Sequence, residues 1–394
     1  MDAKFTMTEV VGTGADNVAR IRVIGVGGGG GNMINHIIRE GIAEQNGLKT
    51  NDLIVANTDL KALEVSESQY RIQLGRKKTS GRGAGMRPEV GEESAKESTD
   101  DIRTQLEGSN IVFVAAGLGG GTGTGAAPVV ASIAKSIGAL TIGVVTLPFE
   151  FEGRMRAKLA TQGLHNLKEI CDNVIVVPNQ KLLGFVGDMC YTESFKIVDD
   201  VLAKAVSGMC SIVLKSSTRG INTDFADLET AMSFKGESLI GVGEAVGDRA
   251  AQEAVRNSMQ SPLLEGMSIK GAKAFLINFT FNPYKTPTQD INEATEYVNR
   301  MIDSEANDDV YVFFGTATDE SLEDGKVCVT LVATGISGNE AYTKIEPVQE
   351  KPAPKPDNRY ESSFLSRYRR TAGGYDIRED DDLDAPVIAR YRQD

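Results

Sequence analysis

Short apolar runs alternate with amphipathic stretches along the first half of this 394-residue chain, and that alternation leaves few folds open. RIRVIGV (20–26), DLIVANTD (52–59), NIVFVAAG (110–117), ALTIGVVTLP (139–148) and NVIVVP (173–178) each have the length and apolarity of a strand. Helical spacing fills the intervals, at MINHIIREGI, 89–107, 126–137 and 154–171. Such alternation predicts βαβ units and a parallel sheet. Ligands of parallel sheets sit outside the carboxyl ends of the strands, and here the segments rich in Gly or in Asn, Asp and Pro all fall at those ends.

A long helix is expected over 192–215, after which the pattern changes. Strands are expected at 239–244, 272–281, 309–315 and 326–334, with helices near 248–258 and 288–303, making a second α/β domain that ends near Gly335. From about Ala341 the chain turns to EPVQEKPAPKPDNRYESS, too polar and proline-rich to bury a core. The expected organisation is therefore a flexible arm (1–19), an α/β domain (20–191), a core helix (192–215), a C-terminal domain (216–340), a disordered linker (341–378) and a tail (379–394).

Composition removes several function classes. A net charge of −13 argues against nucleic acid or an anionic membrane as the main partner. Residues 1–20 hold no apolar h-region and no run of about 20 apolar residues occurs, so a cytoplasmic protein without membrane insertion is expected. Cys171, Cys190, Cys210 and Cys328 form no CxxC pair and are expected to be reduced and buried. His36 and His165 are the only histidines, which disfavours both a Cys/His zinc site and histidine-centred catalysis.

Two glycine-rich segments then stand out, Gly25–Gly31 followed by Asn32, and AAGLGGGTGTGAAP at 115–128. Ordering glycine in a regular element costs roughly 0.5–1 kcal/mol relative to alanine. Several main-chain N–H groups converging on an anion at a helix N-terminus would offset that cost. Thr122 and Thr124 add hydroxyl donors, while GxxxxGK[ST] is absent, so a bound triphosphate would need a divalent cation such as Mg²⁺ to balance its charge. Gly25, Gly27 and Gly30 also satisfy GxGxxG, which leaves a dinucleotide, a mononucleotide and mere tight packing open for the first segment. The acidic residue expected about 20 positions on is missing, and two glycine segments on one sheet favour a longer phosphate chain held from both sides.

GVGGGGGN (25–32), NTD (57–59), GLGGGTGTGAAP (117–128), PFEFEGRMR (148–156), PNQKLL (178–183) and NTDFAD (222–227) together resemble, in order and spacing, the tubulin/FtsZ family of GTPases over roughly residues 12–340. The resemblance implies a Rossmann-like parallel-sheet GTPase domain, a long central helix and a second α/β domain. It implies a cell-division protein that assembles head to tail into filaments of the septal ring and hydrolyses GTP to GDP and phosphate. Carried over by position, Gly27, Gly28, Gly29, Gly30 and Asn32 would lie along the phosphates, with Asn57, Asp59 and Gly85 at the pocket's edge. Gly119, Gly120, Gly121, Thr122, Gly123 and Thr124 would cradle the β- and γ-phosphates. Glu152 and Arg156 would lie at the ribose and phosphate side, although their i, i+4 spacing equally suits a plain helix ion pair. Phe195 would stack on guanine, Asp199 would accept its N1–H and amino group, and Asn179 would also reach the base.

The same resemblance makes Asp224 and Asp227, helped by Asn222, the catalytic groups of a loop at 220–227 that acts on the neighbouring subunit's GTP. A central helix rising ~1.5 Å per residue holds that loop far from the nucleotide of its own chain. Mg²⁺ would be held mainly by the phosphates, with no protein metal site, and a monovalent cation such as K⁺ fits the same chemistry. Two departures are visible: Met86-Arg87 replaces a small residue and asparagine, and DLDAPVIAR (382–390) only loosely matches the family tail that binds membrane-tethering and regulatory division proteins. A filament protein with little hydrolysis and an NAD-dependent oxidoreductase are the competing readings.

Overall fold

The computed structural model describes residues 19–45, 47–186, 191–214, 225–261, 264, 271–305, 310–319 and 322–336. The chain opens with β1 (Ile21–Val26), α1 (Gly27–Arg39), α2 (Ile42–Gln45), β2 (Leu53–Asn57), α3 (Leu60–Glu64) and β3 (Tyr70–Gln73). It continues through α4 (Pro88–Glu97), α5 (Thr99–Leu106), β4 (Ile111–Gly117), α6 (Thr122–Ser136), β5 (Leu140–Leu147) and α7 (Arg154–Ile170). Then follow β6 (Asn173–Pro178), α8 (Asn179–Val186), α9 (Tyr191–Leu214) and α10 (Phe225–Ser233). The last elements are β7 (Glu237–Val246), α11 (Ala250–Met259), β8 (Ala274–Phe281), α12 (Thr288–Glu305), β9 (Tyr311–Thr318) and β10 (Lys326–Ile336).

These strands form one ten-stranded sheet in the order β3-β2-β1-β4-β5-β6-β7-β10-β8-β9. Pairing is parallel from β3 through β7, β10 runs antiparallel to both β7 and β8, and β8 pairs β9 in parallel. Strands β1, β2, β4, β5 and β6 fall where the apolar runs predict them. Nearly all their residues are buried, as strands covered on both faces must be. One apolar cluster lies among β1, β2, β4, α5, α6 and α7, with Val114, Ala126, Val130 and Leu167 fully buried. A second joins β7, β8, β10, α11 and α12, with Val255, Ile277, Val298 and Val329 fully buried. The ladder between β6 and β7 is short: only Val174↔Glu237 and Ile175↔Ser238 pair across it.

Four differences from the sequence reading have physical causes. The single helix expected over 89–107 breaks at Ser98, whose Oγ accepts from the Gly75 N–H at 3.1 Å and is thereby tied to the turn after β3. Strand β3 escapes the periodicity because Ile72 alone of its four residues is buried. Gly27–Gly31 is not a loop before a helix but the opening of α1 itself. Cys171 and Cys210 are buried as expected, whereas Cys328 on β10 is only half-buried, and Cys190 lies outside the described residues. The arm 1–18, the linker and the tail lie outside them as well.

Candidate nucleotide site

The strand order places a topological switch point between β1 and β4, the two strands from which the sheet's connections run in opposite directions. Both glycine-rich turns follow these strands, and they touch. A Cβ added to Gly27, whose φ is +75°, would lie 2.8 Å from the backbone nitrogen of Gly123. One added to Gly29 would lie 3.0 Å from the Cα of Gly117. Helices α1 and α6 therefore begin side by side, with their amino ends at one point on the sheet's upper rim.

The glycines divide by what surrounds them. Gly30 lets α1 settle on the sheet, since a Cβ there would meet the Ala115 carbonyl oxygen at 2.3 Å. Gly121 and Gly125 admit α4, because their Cβ positions fall 2.9 Å from the Arg87 nitrogen and 1.9 Å from the Pro88 oxygen. Gly28 and Gly120, by contrast, face open space with nothing within 4 Å. Part of the glycine content thus serves backbone packing, and part leaves main chain exposed at the rim.

The hydroxyls tie the turns together. Thr122 Oγ1 lies 2.7 Å from Thr58 Oγ1, linking the turn after β2 to the start of α6. Thr124 Oγ1 accepts from the Gly119 N–H at 2.8 Å and is buried, so it closes its own turn. Asn57 Oδ1 accepts from the Asp59 N–H at 3.1 Å, and Asp59 Oδ1 caps α3 by accepting from the Lys61 N–H at 3.0 Å. The turn over 80–87 carries positive φ at Ser80, Gly81, Gly83, Gly85 and Met86, and its Ala84 rests against Gly121. Asn32 is exposed on α1.

The far side of the rim is aromatic and acidic. Arg156 Nη1 donates to Glu152 Oε2 at 2.7 Å, and Glu152 Oε1 accepts from the Phe149 N–H at 2.9 Å, so the two do form an ion pair, across the non-helical Gly153 rather than within a helix. Phe195 on α9 meets Phe149 edge-on, ring centroids 5.5 Å apart, and Phe149 stacks on the exposed Phe151 at 4.9 Å. Asn179 begins α8 fully buried, with its Oδ1 unpartnered. Asp199 is half-buried on α9, where burial pushes its carboxyl up to about 7 against the opposing pull of His36. Buried polar groups are nearly always satisfied, so the Asn179 oxygen is short of a donor.

Asp227 stands apart from this rim. It lies in the first turn of α10, where a carboxylate suits the helix dipole, and α10 packs on β8, β9 and β10. The end of the expected loop is thus helical from Phe225 onward, while Asn222 and Asp224 lie outside the described residues. Sequence reading gave Phe149 no role and set Thr58 only at a pocket lip; they are the ring and the hydroxyl that brace Phe195 and Thr122. Both sit inside motifs already singled out, NTD and PFEFEG, where a β-branched hydroxyl beside a turn and an aromatic after a strand were the available signals.

Parallel strands with two glycine turns meeting at their switch point, a long helix, and mixed strands continuing the same sheet define the tubulin class of GTPase folds. Residues 20–187 match the GTPase domain of the Tubulin/FtsZ family, and residues 236–337 match the C-terminal domain of the FtsZ family. The chain is 39% identical over 381 residues to the cell division protein FtsZ of Helicobacter pylori strain J99, covering 95% of this chain and 93% of that protein. An FtsZ dimer from M. jannaschii superposes with a TM-score of 0.75 at 39% identity, covering 87% of this chain and 96% of that one. CetZ2 from Haloferax volcanii, solved as a GTPγS-bound protofilament, has the same fold at 20% identity, with a TM-score of 0.69 over 82% of this chain and 95% of that one. The chain belongs to the FtsZ family. The dinucleotide reading of Gly25, Gly27 and Gly30 falls with this match, and packing explains part of the pattern: a Cβ at Gly25 would lie 2.3 Å from the Gly30 oxygen.

Proposed function

We propose that this protein binds GTP across the paired glycine turns, polymerises head to tail and hydrolyses GTP at a site completed by the next subunit. The observation that carries the reading is the contact of the two turns at the switch point, with Gly28 and Gly120 left open above it. Main-chain N–H groups at the starts of α1 and α6 would hold the phosphates, with Thr122 and the 119–121 turn at the terminal one. Arg156, braced by Glu152, adds positive charge at the rim. Mg²⁺ bound to the phosphates would neutralise charge that no lysine in these turns supplies.

Guanine fits the opposite end. The unpartnered Asn179 oxygen and the donor-poor Asp199 carboxylate are acceptors for the amino and N1–H donors of that base, and Phe195 offers it a ring. Asp227 follows the far end of α9 in the chain, on a helix packed against β8, β9 and β10. At ~1.5 Å per residue, Asp199 and Leu214 are already more than 20 Å apart. Its carboxylate would therefore serve a neighbour's terminal phosphate, orienting the attacking water while the bond to the β-phosphate oxygen breaks. A head-to-tail contact of this kind does not close on itself and so makes a filament. In the cell that filament would lie at the mid-cell division site, with the tail at 379–394 as the attachment point for membrane-tethering and regulatory division proteins.

The test mixes wild type with Asp227→Ala. The variant should bind GTP and sediment with filaments yet turn over at most about 1% as fast, and a substoichiometric amount should poison the wild type. Normal turnover by dilute Asp227→Ala monomers would overturn the shared site.

A further inference from the structure

His36 is one of two histidines in the chain and stands in the last turn of α1, the helix that opens with the glycine run. Its Nε2 lies 3.3 Å from Oδ1 of Asp200, the residue after Asp199 on α9. The second oxygen of Asp200 lies 3.2 Å from Lys204 Nζ, one turn further along the same helix. Lys204 reaches Glu244 on β7 at 3.7 Å, and Glu244 reaches Lys326 on β10 at 2.7 Å. The side chains of His36, Asp200 and Lys326 are only 14%, 11% and 8% exposed. A buried to half-buried ladder of polar contacts, ionic from Asp200 to Lys326, thus runs from α1 through α9 into the C-terminal strands.

Helix α1 carries exposed glycines at its amino end and His36 at its carboxyl end. Helix α9 carries Phe195 and Asp199 on the side facing the proposed base position and Asp200 toward α1. The helices pack against each other, but apolar contact along a helix pair tolerates sliding, whereas a hydrogen bond to a charged acceptor between fixed atoms does not. Burial opposes ionisation of Asp200, yet the hydrogen bond from His36 and the nearby Lys204 together hold its carboxyl below the usual range, so the pair's acceptor is a charged one.

We propose that the His36–Asp200 pair is a positioning clamp that locks α9 to α1 and thereby fixes how far Asp199 stands from the phosphate turns. This rests on the guanine-nucleotide reading of the rim and deepens it: the pair touches neither base nor phosphate but sets the spacing between the groups that do. Guanosine and inosine nucleotides differ only in the 2-amino group, so their ratio of affinities reads whether an acceptor is correctly placed at that end.

The experiment measures dissociation constants for GTP and ITP with Mg²⁺ in wild type, His36→Leu, Asp200→Asn and His36→Gln, with thermal melts in parallel. The clamp predicts a wild-type preference for GTP that falls about tenfold in His36→Leu and Asp200→Asn. His36→Gln keeps a donor near the same place and should restore most of it. A merely structural role would lower the melting temperature and weaken both nucleotides equally, leaving the ratio intact, and that result would overturn the proposal, as would a preference that survives in Asp200→Asn should His36→Leu fail to fold. A wild type with no preference for GTP over ITP would overturn the guanine reading itself along with the clamp, an outcome distinct from a retained ratio in the variants.

Discussion

Asp199 makes no hydrogen bond or ion pair among the described residues, and burial raises its carboxyl to about 7. A carboxylate must be charged to accept both donors of guanine, so nucleotide binding should release a proton near that pH. GTP affinity is expected to rise between pH 6 and 8 and then level off, with proton uptake by buffers of different ionisation enthalpy as the calorimetric check. The sign is opposite for the ligand-free fold. The folded carboxyl holds its proton more tightly than an unfolded one, whose pKa is about 3.9, so this group adds stability as pH falls from 7 toward 4. Asp199→Asn should flatten both dependences while keeping the fold. None of this could be read from the sequence, where Asp199 is one of 55 acidic residues. Its family position marks it, but only the packing of α9 reveals a carboxyl short of partners.

Helices α4 and α6 meet through backbone, and their glycines allow a sharp division between scaffold and site. Gly125→Ala would drive a Cβ to within 1.9 Å of the Pro88 oxygen, which cannot yield without moving α4. Such overpacking should lower stability by roughly 2–3 kcal/mol in chemical denaturation. Gly28→Ala meets nothing within 4 Å, so the melt should hold or rise slightly, as alanine favours a helix. If the turns grip phosphate, that same variant should bind GTP at least about tenfold more weakly. The elements themselves were largely legible in the sequence, because strands buried on both faces have to be written as unbroken apolar runs. What escaped was written in tertiary contacts. Ser98 ends α4 through its bond to Gly75, and β3 is an edge with a single buried side chain. The dual use of the glycines, some for packing and some open at the rim, was equally hidden, since both uses select the same residue for the same reason, the missing Cβ.

Across the whole molecule, the parallel half and the mixed half are joined in the sheet by the two pairs between β6 and β7. An ion pair crosses the same seam: Lys168 on α7 donates to Glu237, whose side chain is only 1% exposed. Removing the half-buried Lys168 strands the charge of the buried Glu237, so Lys168→Met should lower stability by roughly 3–5 kcal/mol. Adding Glu237→Leu should recover part of that loss, and a double-mutant cycle measures the coupling directly. The sequence showed two α/β regions on either side of a long helix; it did not show that their strands fuse into one sheet, because the pairing partner of a strand is set by where a helix of 24 residues delivers the chain. That narrow join also makes the molecule mechanically uneven. Ladders such as β10 with β8 span eight consecutive pairs and share a pull among many bonds, while the join at β6 and β7 has two positions to bear it. A subunit under tension in a strained filament would part along that line first, leaving two cores that each keep their own shape, so that load applied at one end of the polymer would be answered by a hinge whose location is already built into every link.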